Sequence, residues 1–409
     1  MKNILVVTGI YPPEINSASH LMQEFAEGLA KRGHNVWVLT SYPKHYVPKE
    51  AANQIFETFS EKNNVKIIRA KTLPLRKVSF FVRGIAQLIM PFSFFSAAKK
   101  YITGPIDTVV VYSPPLPMAY VGSMIKKRYG AQFILLLEDI FPQIAIDLNI
   151  LTGWKYKPIV AFFEWMEKKI YAHADKITFH SEGGRQFLIE KKGIPNEKIV
   201  AISNWVDIDI YQNLKEDLSF RKRWLLQDKF IFVFAGILGP AQGAEFMIEV
   251  AKGVSDIKEI IFLLVVDGMQ KPKIEELVRR YGLTNVVLKS FIPKEEYPYL
   301  VRDIDVGLVC LSAQNKTPFI PGKFLGYMAA GKPIVAFLNK ESDGFELVRK
   351  AGCGYAVVST DLPAAIAAVK KIYSEKANLA ALGAGGFAYA KNNLGLDVCL
   401  EKFEKLFNQ

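Results

Sequence analysis

The chain has 409 residues, half of them apolar, and a net charge of +12. This length and composition predict two α/β domains of roughly 200 residues each, with two sizeable buried cores. The charge favours an anionic partner, meaning an acidic membrane surface, a phosphorylated substrate or nucleic acid. No RNA-binding or helix-turn-helix signature is present, so we expect no nucleic acid partner.

The cysteines and the N-terminus bear on the compartment. Cys310, Cys353 and Cys399 form neither a metal-ligand spacing nor an even disulfide set, which predicts a reducing, cytoplasmic compartment. The first apolar run is short and ends at Gly9, so a buried first strand is a better interpretation than a signal peptide.

The first half alternates short β-branched runs with segments of helical spacing, such as His20–Lys31. Most of the runs are apolar on both faces, which predicts a parallel doubly wound sheet covered on both sides. The predicted strands are Ile4–Thr8, Val36–Thr40, Val65–Ala70, Thr108–Tyr112, Phe133–Leu137, Lys176–His180 and Ile199–Ile202.

The second half restarts this rhythm after a polar stretch. Its predicted strands are Phe230–Ala235, Ile261–Val266, Val286–Leu288, Val306–Leu311, Pro333–Phe337 and Tyr355–Val358. We therefore predict an α/β fold of two Rossmann-like domains facing across a cleft, residues 1–207 and 208–390. Residues 391–409 are predicted to form a C-terminal helix that packs back on the first domain.

Residues 74–101 interrupt the rhythm with an apolar middle and basic ends at Arg76, Lys77, Lys99 and Lys100. Arg83 and Pro91 argue against a membrane span. Apolar residues repeat every three to four positions, at Phe81, Ile85, Leu88, Phe92 and Phe95. Two interpretations stay open: a helix lying in the plane of an anionic membrane, or a core-facing helix with solvated ends.

The strongest motif is the run from Ile320 to Val335. Pro321 and Gly322 start a helix that Gly331 stops, and the free amides at such a start attract anions. Lys323 lies in the first turn, where the helix dipole alone would favour an acid. A lysine here makes sense if a pyrophosphate is held between its ammonium and the amides of this turn, including Phe324. The alternative is a surface lysine on a tightly packed helix.

Two glycine-bearing loops follow strands of the second half. Ala235–Gly243 carries Gly236 and Gly239, whose amides could approach a ligand, although the spacing is not the dinucleotide fingerprint. Gly268 ends the next predicted strand, and Ile292 lies in a similar loop further on. For the Ala235–Gly243 loop the alternative is an ordinary strand-to-helix turn.

Three loops of the first half are expected at the carboxyl edge of its sheet, where open α/β sheets bind ligands. Asn16, Ser17, Ser19 and His20 are candidates for hydrogen bonds to a sugar or a phosphate, with N-capping by Ser17 or Ser19 as the alternative. Ser113 belongs to the second loop. Glu138 and Asp139 belong to the third. We expect only one of them, Asp139, to reach a ligand, where it would bind an acceptor hydroxyl or take a proton; the alternative is a capping acid in a loop.

These residues, taken in order, resemble glycosyltransferase family 4 over nearly the whole chain. They are most similar to the branch with bacterial N-acetylfucosamine and amino-sugar transferases of O-antigen and capsule assembly. The similar motifs are Tyr11-Pro12-Pro13-Glu14, Gly33-His34-Asn35-Val36, Ser113-Pro114-Pro115, Asp139-Ile140-Phe141-Pro142, Ala174-Asp175, Asn204-Trp205-Val206-Asp207, Asp267-Gly268 and Met328-Ala329-Ala330-Gly331-Lys332-Pro333.

The chain departs from the family at several binding positions. Pro318 and Gly326 stand where the family has two glutamates, the second of which binds the nucleotide ribose; Asp343 or Glu346 are candidates to replace it. Ile237 and Gln242 stand near the family's basic pair, so the resemblance leaves Lys323, with Lys271 as a helper, to neutralise a diphosphate.

The resemblance implies a GT-B fold and a retaining, metal-independent transfer without a cofactor. The expected donor is a nucleotide-sugar, UDP-linked and carrying an N-acetylated amino sugar. The expected acceptor is a saccharide on a polyprenyl diphosphate at the inner face of the cytoplasmic membrane. Two alternatives stay open: a nucleotide-sugar 2-epimerase of the same fold, and a non-catalytic member that binds a glycan or a partner protein.

Overall fold

A computed structural model describes residues 1–44, 47, 54–74, 80–214 and 217–409 of the chain. The chain divides into two compact units. The first contains Met1–Ala145, Leu151–Ser203 and Leu396–Gln409, and the second contains Ile146–Ile150 and Asn204–Gly395.

The first unit is built on an eight-stranded sheet in the order β3-β4-β2-β1-β5-β6-β7-β8. The strands are β1 (Asn3–Val7), β2 (Asn35–Ser41), β3 (Phe59–Lys62), β4 (Val65–Ala70), β5 (Thr108–Ser113), β6 (Gln132–Leu137), β7 (Lys176–Phe179) and β8 (Ile199–Ala201). The helices are α1 (Ser17–Lys31), α2 (Phe80–Tyr101), α3 (Tyr120–Tyr129), α4 (Gln143–Asp147), which ends in the segment grouped with the second unit, α5 (Lys157–His173) and α6 (Glu182–Lys192).

The central strands are apolar on both faces. In β1, Leu5 and Val7 face one core while Ile4 and Val6 point the other way, and all four are inaccessible to solvent. Strands of this kind are stable only where helices cover both faces of a parallel sheet. The predicted fold class is therefore confirmed for this half.

The sequence analysis did not predict strand β3. It pairs antiparallel with β4 at the edge of the sheet, and Asn63 and Asn64 connect the two strands with positive φ angles of 52° and 60°. Asparagine tolerates this conformation better than most residues, and two such residues in succession are typical of a tight hairpin. The Asn63-Asn64 pair is the signal that could have found the strand.

The second unit is built on a six-stranded parallel sheet in the order β11-β10-β9-β12-β13-β14. The strands are β9 (Phe230–Ile237), β10 (Ile260–Asp267), β11 (Val286–Lys289), β12 (Val306–Cys310), β13 (Ile334–Leu338) and β14 (Gly354–Val358). The helices are α7 (Asp209–Gln212), α8 (Phe220–Arg223), α9 (Ala244–Lys252), α10 (Lys271–Arg280), α11 (Tyr297–Asp303), α12 (Lys323–Ala329), α13 (Gly344–Ala351), α14 (Leu362–Ser374) and α15 (Leu379–Asn393).

The strand order of the second sheet reverses between β9 and β12. In an open parallel sheet, the loops at such a reversal diverge and leave a crevice at the carboxyl edge. Helix α12 begins beside this crevice, and the buried Tyr327 fixes it there by donating to the carbonyl of Val233 in β9 at 3.0 Å.

The last helix, α16 (Leu396–Phe407), belongs to the first unit and packs on α1. The rings of Phe25 and Phe403 meet edge to face with centroids 4.8 Å apart. The carboxylate of Glu404 lies 2.9 Å from Nη1 of Arg32 and 2.9 Å from Nε2 of His34. The Gly33-His34 step therefore anchors the end of the chain to the first unit.

The boundary between the units lies slightly before the predicted one. The sequence analysis places it after Asp207, whereas the first unit ends at Ser203. Val206 accounts for the difference, because its amide donates to the carbonyl of Leu394 at 2.9 Å and it forms a bridge with Gly395. The start of the C-terminal helix moves correspondingly, from 391 to Leu396.

The segment predicted to face either a membrane or the core contains α2. Met90, Phe94 and Ala98 pack into the core of the first unit, while Ile85, Ile89 and Phe92 are exposed, so the helix has both an apolar core face and an apolar outer face. Arg76, Lys77 and the side chain of Phe81 lie outside the described residues. Among the helices that the structure describes, none is long and apolar enough to cross a bilayer.

Candidate active site

Lys323 lies at the reversal point of the second sheet. Its ammonium is 4.4 Å from the centre of the Phe234 ring in β9. A Cβ placed on Gly236 would lie 3.2 Å from both the Cε and the Nζ of Lys323. The side chain therefore reaches back from α12 across the end of β9, and its charge sits in the crevice where this fold class binds ligands.

The surroundings of Lys323 are short of counter-charge. Among the described residues, no carboxylate lies within 4 Å of its ammonium, and burial lowers its pKa to about 8. The thiol of Cys310 interacts with it electrostatically, and burial raises the pKa of that thiol, so it is neutral near pH 7. A half-buried cation without an acid partner is suited to bind an anion such as a diphosphate.

Gly236 makes this placement possible. Its φ of 136° lies in a region that only glycine adopts readily, and a side chain there would meet Lys323. Of the glycines in the two predicted loops, Gly236 alone borders the lysine in the contacts described.

The predictions for Gly239 and Gly268 need correction. The amide of Gly239 already donates to Oε1 of Gln242 at 2.8 Å, so it is not available to a diphosphate. Gly268 has a φ of 125°, and a Cβ there would lie 2.5 Å from the carbonyl oxygen of Leu238. Its amide donates to Asp267, so Gly268 joins two loops by close packing.

The start of α12 also differs from its predicted role. The amides of Phe324 and Leu325 donate to the carbonyls of Pro321 and Gly322 within the turn. Phe324 is fully buried in the core, and its amide is already bonded, so its predicted contact with a diphosphate needs correction. Pro321 is buried and Gly322 is exposed. The ammonium of Lys323, rather than the amides of Phe324 and Leu325, is the ligand-directed feature of this turn.

Gly326, which stands where the family has a glutamate, faces two tyrosines that the sequence analysis missed. A Cβ on Gly326 would lie 2.9 Å from the hydroxyl of Tyr211 and 3.5 Å from that of Tyr297. Tyr211 comes from α7 and Tyr297 from α11, so no local pattern around Gly326 indicates them. The tyrosines occupy the space into which a glutamate side chain would begin.

Four other predicted residues lie around the same sheet edge. Lys271 donates to Oγ of Ser290 at 3.4 Å, beside the ends of β10 and β11. The side chain of Ile292 packs on the core. Glu346 is exposed and pairs with Arg349 at 2.6 Å on its own helix, whereas Asp343 is half-buried just before α13. Asp343 is thus the better placed of the two candidate replacements for the missing glutamate.

In the first unit, the loops after β1 and β5 meet at the reversal of that sheet. A Cβ on Gly9 would lie within 4 Å of Pro115 and Met118. Asn16, rather than Ser17 or Ser19, caps α1 by accepting from the amide of Ala18 at 2.8 Å. Ser17 is exposed and His20 half-buried, both in the first turn of the helix.

The side chain of Ser113 does not fit its predicted binding role. It is 1% exposed, because Ser113 is the last residue of a strand covered on both faces, and its carbonyl accepts from the amide of Glu138 at 3.0 Å. Ser113 therefore holds the third loop in place from within the sheet.

The first loop rests on Arg69, another residue that the sequence analysis missed. Its buried guanidinium donates to the carbonyl of Pro12 at 2.7 Å and to that of Ser41 at 3.3 Å. The carboxylate of Glu14 accepts from the amide of Lys44 at 2.9 Å. These bonds join the ends of β1, β2 and β4 and fix the loop.

The side chains of Glu138 and Asp139 differ in their surroundings. Glu138 is buried, with one carboxylate oxygen 3.8 Å from Nδ1 of His180. Burial lowers the pKa of His180 to about 3, so this histidine is neutral. Asp139 is half-buried, and burial raises its pKa to about 6, which is a suitable value for an acid or base near neutral pH.

Two family profiles match the chain, one in each half. The family profile described as Glycosyltransferase Family 4 matches residues 18–210, and that described as Glycosyl transferases group 1 matches residues 229–375. The chain belongs to the GT-B glycosyltransferases of the family 4 type. The crevice between β9 and β12, with Gly236 and Lys323, therefore lies within the region that the second profile matches.

The curated relatives include two bacterial proteins that are named as glycosyltransferases. The glycosyltransferase is 25% identical to WcaI of Escherichia coli strain K12, named for colanic acid biosynthesis, over 80% of this chain and 81% of WcaI. It is also 25% identical to WbjE of Pseudomonas aeruginosa, named as a glycosyltransferase, over 78% of this chain and 79% of that protein.

Solved structures share the fold. Anabaena HepE, solved in complex with UDP and glucose, superposes with a TM-score of 0.73 at 15% identity, covering 100% of both chains. At this identity the likeness supports the architecture of two Rossmann-like units and no more. The family profiles, rather than this likeness, identify the chain as a glycosyltransferase.

Proposed function

We propose that this glycosyltransferase takes an N-acetylated amino sugar from a UDP-linked donor and transfers it, with retention, to a saccharide carried on a polyprenyl diphosphate. The observation that carries the proposal is the ammonium of Lys323, which lies without a described carboxylate partner at the strand reversal of the second unit. The UDP complex of HepE supports the choice of donor, and the name of WcaI, which refers to colanic acid biosynthesis, supports the choice of pathway.

The proposed chemistry places the donor diphosphate against Lys323. As the bond from the sugar to the diphosphate breaks, negative charge accumulates on the leaving phosphate. A fixed ammonium in a partly dry crevice stabilises that charge without reorganising. Gly236 leaves the space in which the ammonium sits.

Because the lysine would supply the positive charge, the proposed reaction uses no metal and no cofactor. In the first unit, Asp139 is proposed to contact the accepting hydroxyl, since its raised pKa allows it to exchange a proton near neutral pH. The acceptor is proposed to be reached from the inner face of the cytoplasmic membrane, with the protein bound there peripherally.

Calorimetric titration with UDP, GDP and their sugars tests the donor. The proposal expects binding of UDP and UDP-linked sugars that EDTA does not weaken. Binding of GDP-linked sugars alone would overturn the choice of base, and no binding of any nucleotide would favour a non-catalytic binding protein. Epimerised nucleotide-sugar formed without an acceptor would instead identify a 2-epimerase.

A further inference from the structure

The first unit carries exposed aromatic side chains on a second helix that the sequence analysis did not connect with membranes. Trp154 is 76% exposed just before α5, and within α5 Trp165 is 52% and Phe162 40% exposed. The core of α5 is formed instead by Phe163, Met166 and Ile170. Helix α5 thus has an aromatic face turned to the solvent as well as one turned to the core.

This face lies on the same side of the sheet as the exposed face of α2. Both helices bury residues in one core cluster, and both contact α3 and the short turn Leu116–Ala119. On α2 the exposed apolar side chains are Ile85, Ile89 and Phe92, the last 64% exposed. Their outer faces therefore point away from the sheet in the same direction.

The two faces also share one end of the sheet. Each helix leads into a parallel strand, so each begins at the carboxyl edge, and most of the exposed apolar residues lie toward these beginnings. That edge also carries the loops proposed to receive the acceptor, those of Asn16 and Asp139.

The charges around these faces are mostly positive. The exposed cations on and beside the two helices are Arg83, Lys99, Lys100, Lys155, Lys157, Lys168 and Lys169, and Glu164 is an exposed acid among them. Tryptophan and lysine together are the residues that settle at the interface between headgroups and acyl chains. A second copy of this chain would bring like charges together, which disfavours self-association through these faces.

We propose that Ile85, Ile89 and Phe92 of α2, together with Trp154, Phe162 and Trp165, form one lipid-binding surface that docks the first unit on an anionic bilayer. The aromatic rings enter the headgroup region and the lysines meet the lipid phosphates. The proposal rests on the peripheral membrane location of the proposed function, and adds to it a contact made by α5 and the turn before it.

Vesicle flotation and tryptophan fluorescence of the full chain test the surface. Of the five tryptophans, Trp37 and Trp205 are buried and Trp224 is half-buried, so Trp154 and Trp165 dominate the exposed signal. We expect flotation with vesicles of phosphatidylglycerol and phosphatidylcholine that salt weakens, a blue shift of emission, and quenching by brominated lipid. Phosphatidylcholine alone should bind more weakly.

The decisive variants remove one half of the surface at a time. Trp154→Ser with Trp165→Ser, and separately Ile85→Ser with Phe92→Ser, should each weaken vesicle binding by about tenfold or more. Ile55→Ser is the matched control, since Ile55 is 92% exposed in the same unit but away from these helices in sequence, and it should bind as the unaltered protein does.

Three results would overturn the proposal: no binding of the unaltered protein to anionic vesicles, unchanged binding by the tryptophan double variant, or a dimer in solution that the tryptophan substitutions dissociate. The UDP affinity and the melting temperature, measured on every variant, separate this surface from the donor site. Loss of vesicle binding with normal UDP binding supports the surface, and absence of UDP binding with normal vesicle binding defeats only the proposed function.

Discussion

The ammonium of Lys323 and the ring of Phe234 are 4.4 Å apart, although one residue belongs to a helix and the other to the central strand β9. The face of an aromatic ring attracts a cation, but less strongly than a carboxylate does. The contact therefore holds Lys323 in position while leaving its charge to be satisfied by a ligand. A lysine placed in this way is expected to lower the stability of the folded protein and to raise its affinity for an anion.

The first prediction concerns stability. Replacing Lys323 with Met, which keeps most of the volume, should raise the free energy of unfolding at pH 7 by on the order of 1–3 kcal/mol. Folding lowers the pKa of Lys323 from 10.5 to about 8. The charged lysine therefore destabilises the folded protein fully below about pH 8, and this effect disappears as the pH rises toward 10.5, the pKa in the unfolded chain. Urea denaturation at pH 7 and pH 10 measures the difference; a less stable variant at pH 7 would contradict it.

The second prediction concerns Gly236. Gly236→Ala places a Cβ 3.2 Å from the end of Lys323 and imposes a φ of 136° on alanine, so stability should fall by about 1–3 kcal/mol. Displacement of the ammonium should lower turnover further, by about 100-fold. Gly282→Ala is the control, because Gly282 has a φ of 60° and no atom within 4 Å of its Cβ position. Equal turnover of the two variants would mean that Gly236 does not determine the position of the Lys323 ammonium.

The third prediction is a bell-shaped dependence of kcat/KM on pH. Activity should rise as Asp139 loses its proton near pH 6 and fall as Lys323 loses its proton near pH 8. Asp139→Asn should remove the acid limb and keep the alkaline limb. An acid limb that persists in this variant would assign it to another group.

The fourth prediction concerns the glycine that replaces the family's glutamate. Gly326→Ala should destabilise the protein, because its Cβ meets the hydroxyl of Tyr211 at 2.9 Å. Tyr211→Phe removes that hydroxyl and should relieve the effect, giving a coupling of about 0.5–3 kcal/mol in a double-mutant cycle. Additive changes in the free energy of unfolding would contradict this prediction, because they would mean that the side chain of Tyr211 moves out of contact at no cost in stability.

Much of the fold was predictable because the signals are local. Strands such as β1 are apolar on both faces, and a glycine or proline marks many of the ends of the elements. The position of Lys323 was predictable for the same reason, since Pro321, Gly322 and Gly331 bound its helix. The edge strand β3 was missed because Phe59–Lys62 is short and exposed.

The interior of the site was less predictable, because its contacts join distant parts of the chain. Gln242 occupies the amide of Gly239, and Arg69 supports the carbonyl of Pro12. Tyr211 approaches Gly326 from another helix. A sequence motif indicates that an amide or a glycine is present, but not whether another side chain has already taken the space or the hydrogen bond.

The most direct test of the account is the turnover of Lys323→Ala with a UDP-linked donor, measured as released UDP with acceptor present. Lys370→Ala, which changes an exposed lysine of the same unit, is the control. The account predicts that Lys323→Ala loses about 100-fold or more in kcat, the effect of removing one donor to a developing oxyanion, while Lys370→Ala is unaffected. Near-normal kcat and KM for Lys323→Ala would contradict the assignment of the diphosphate site.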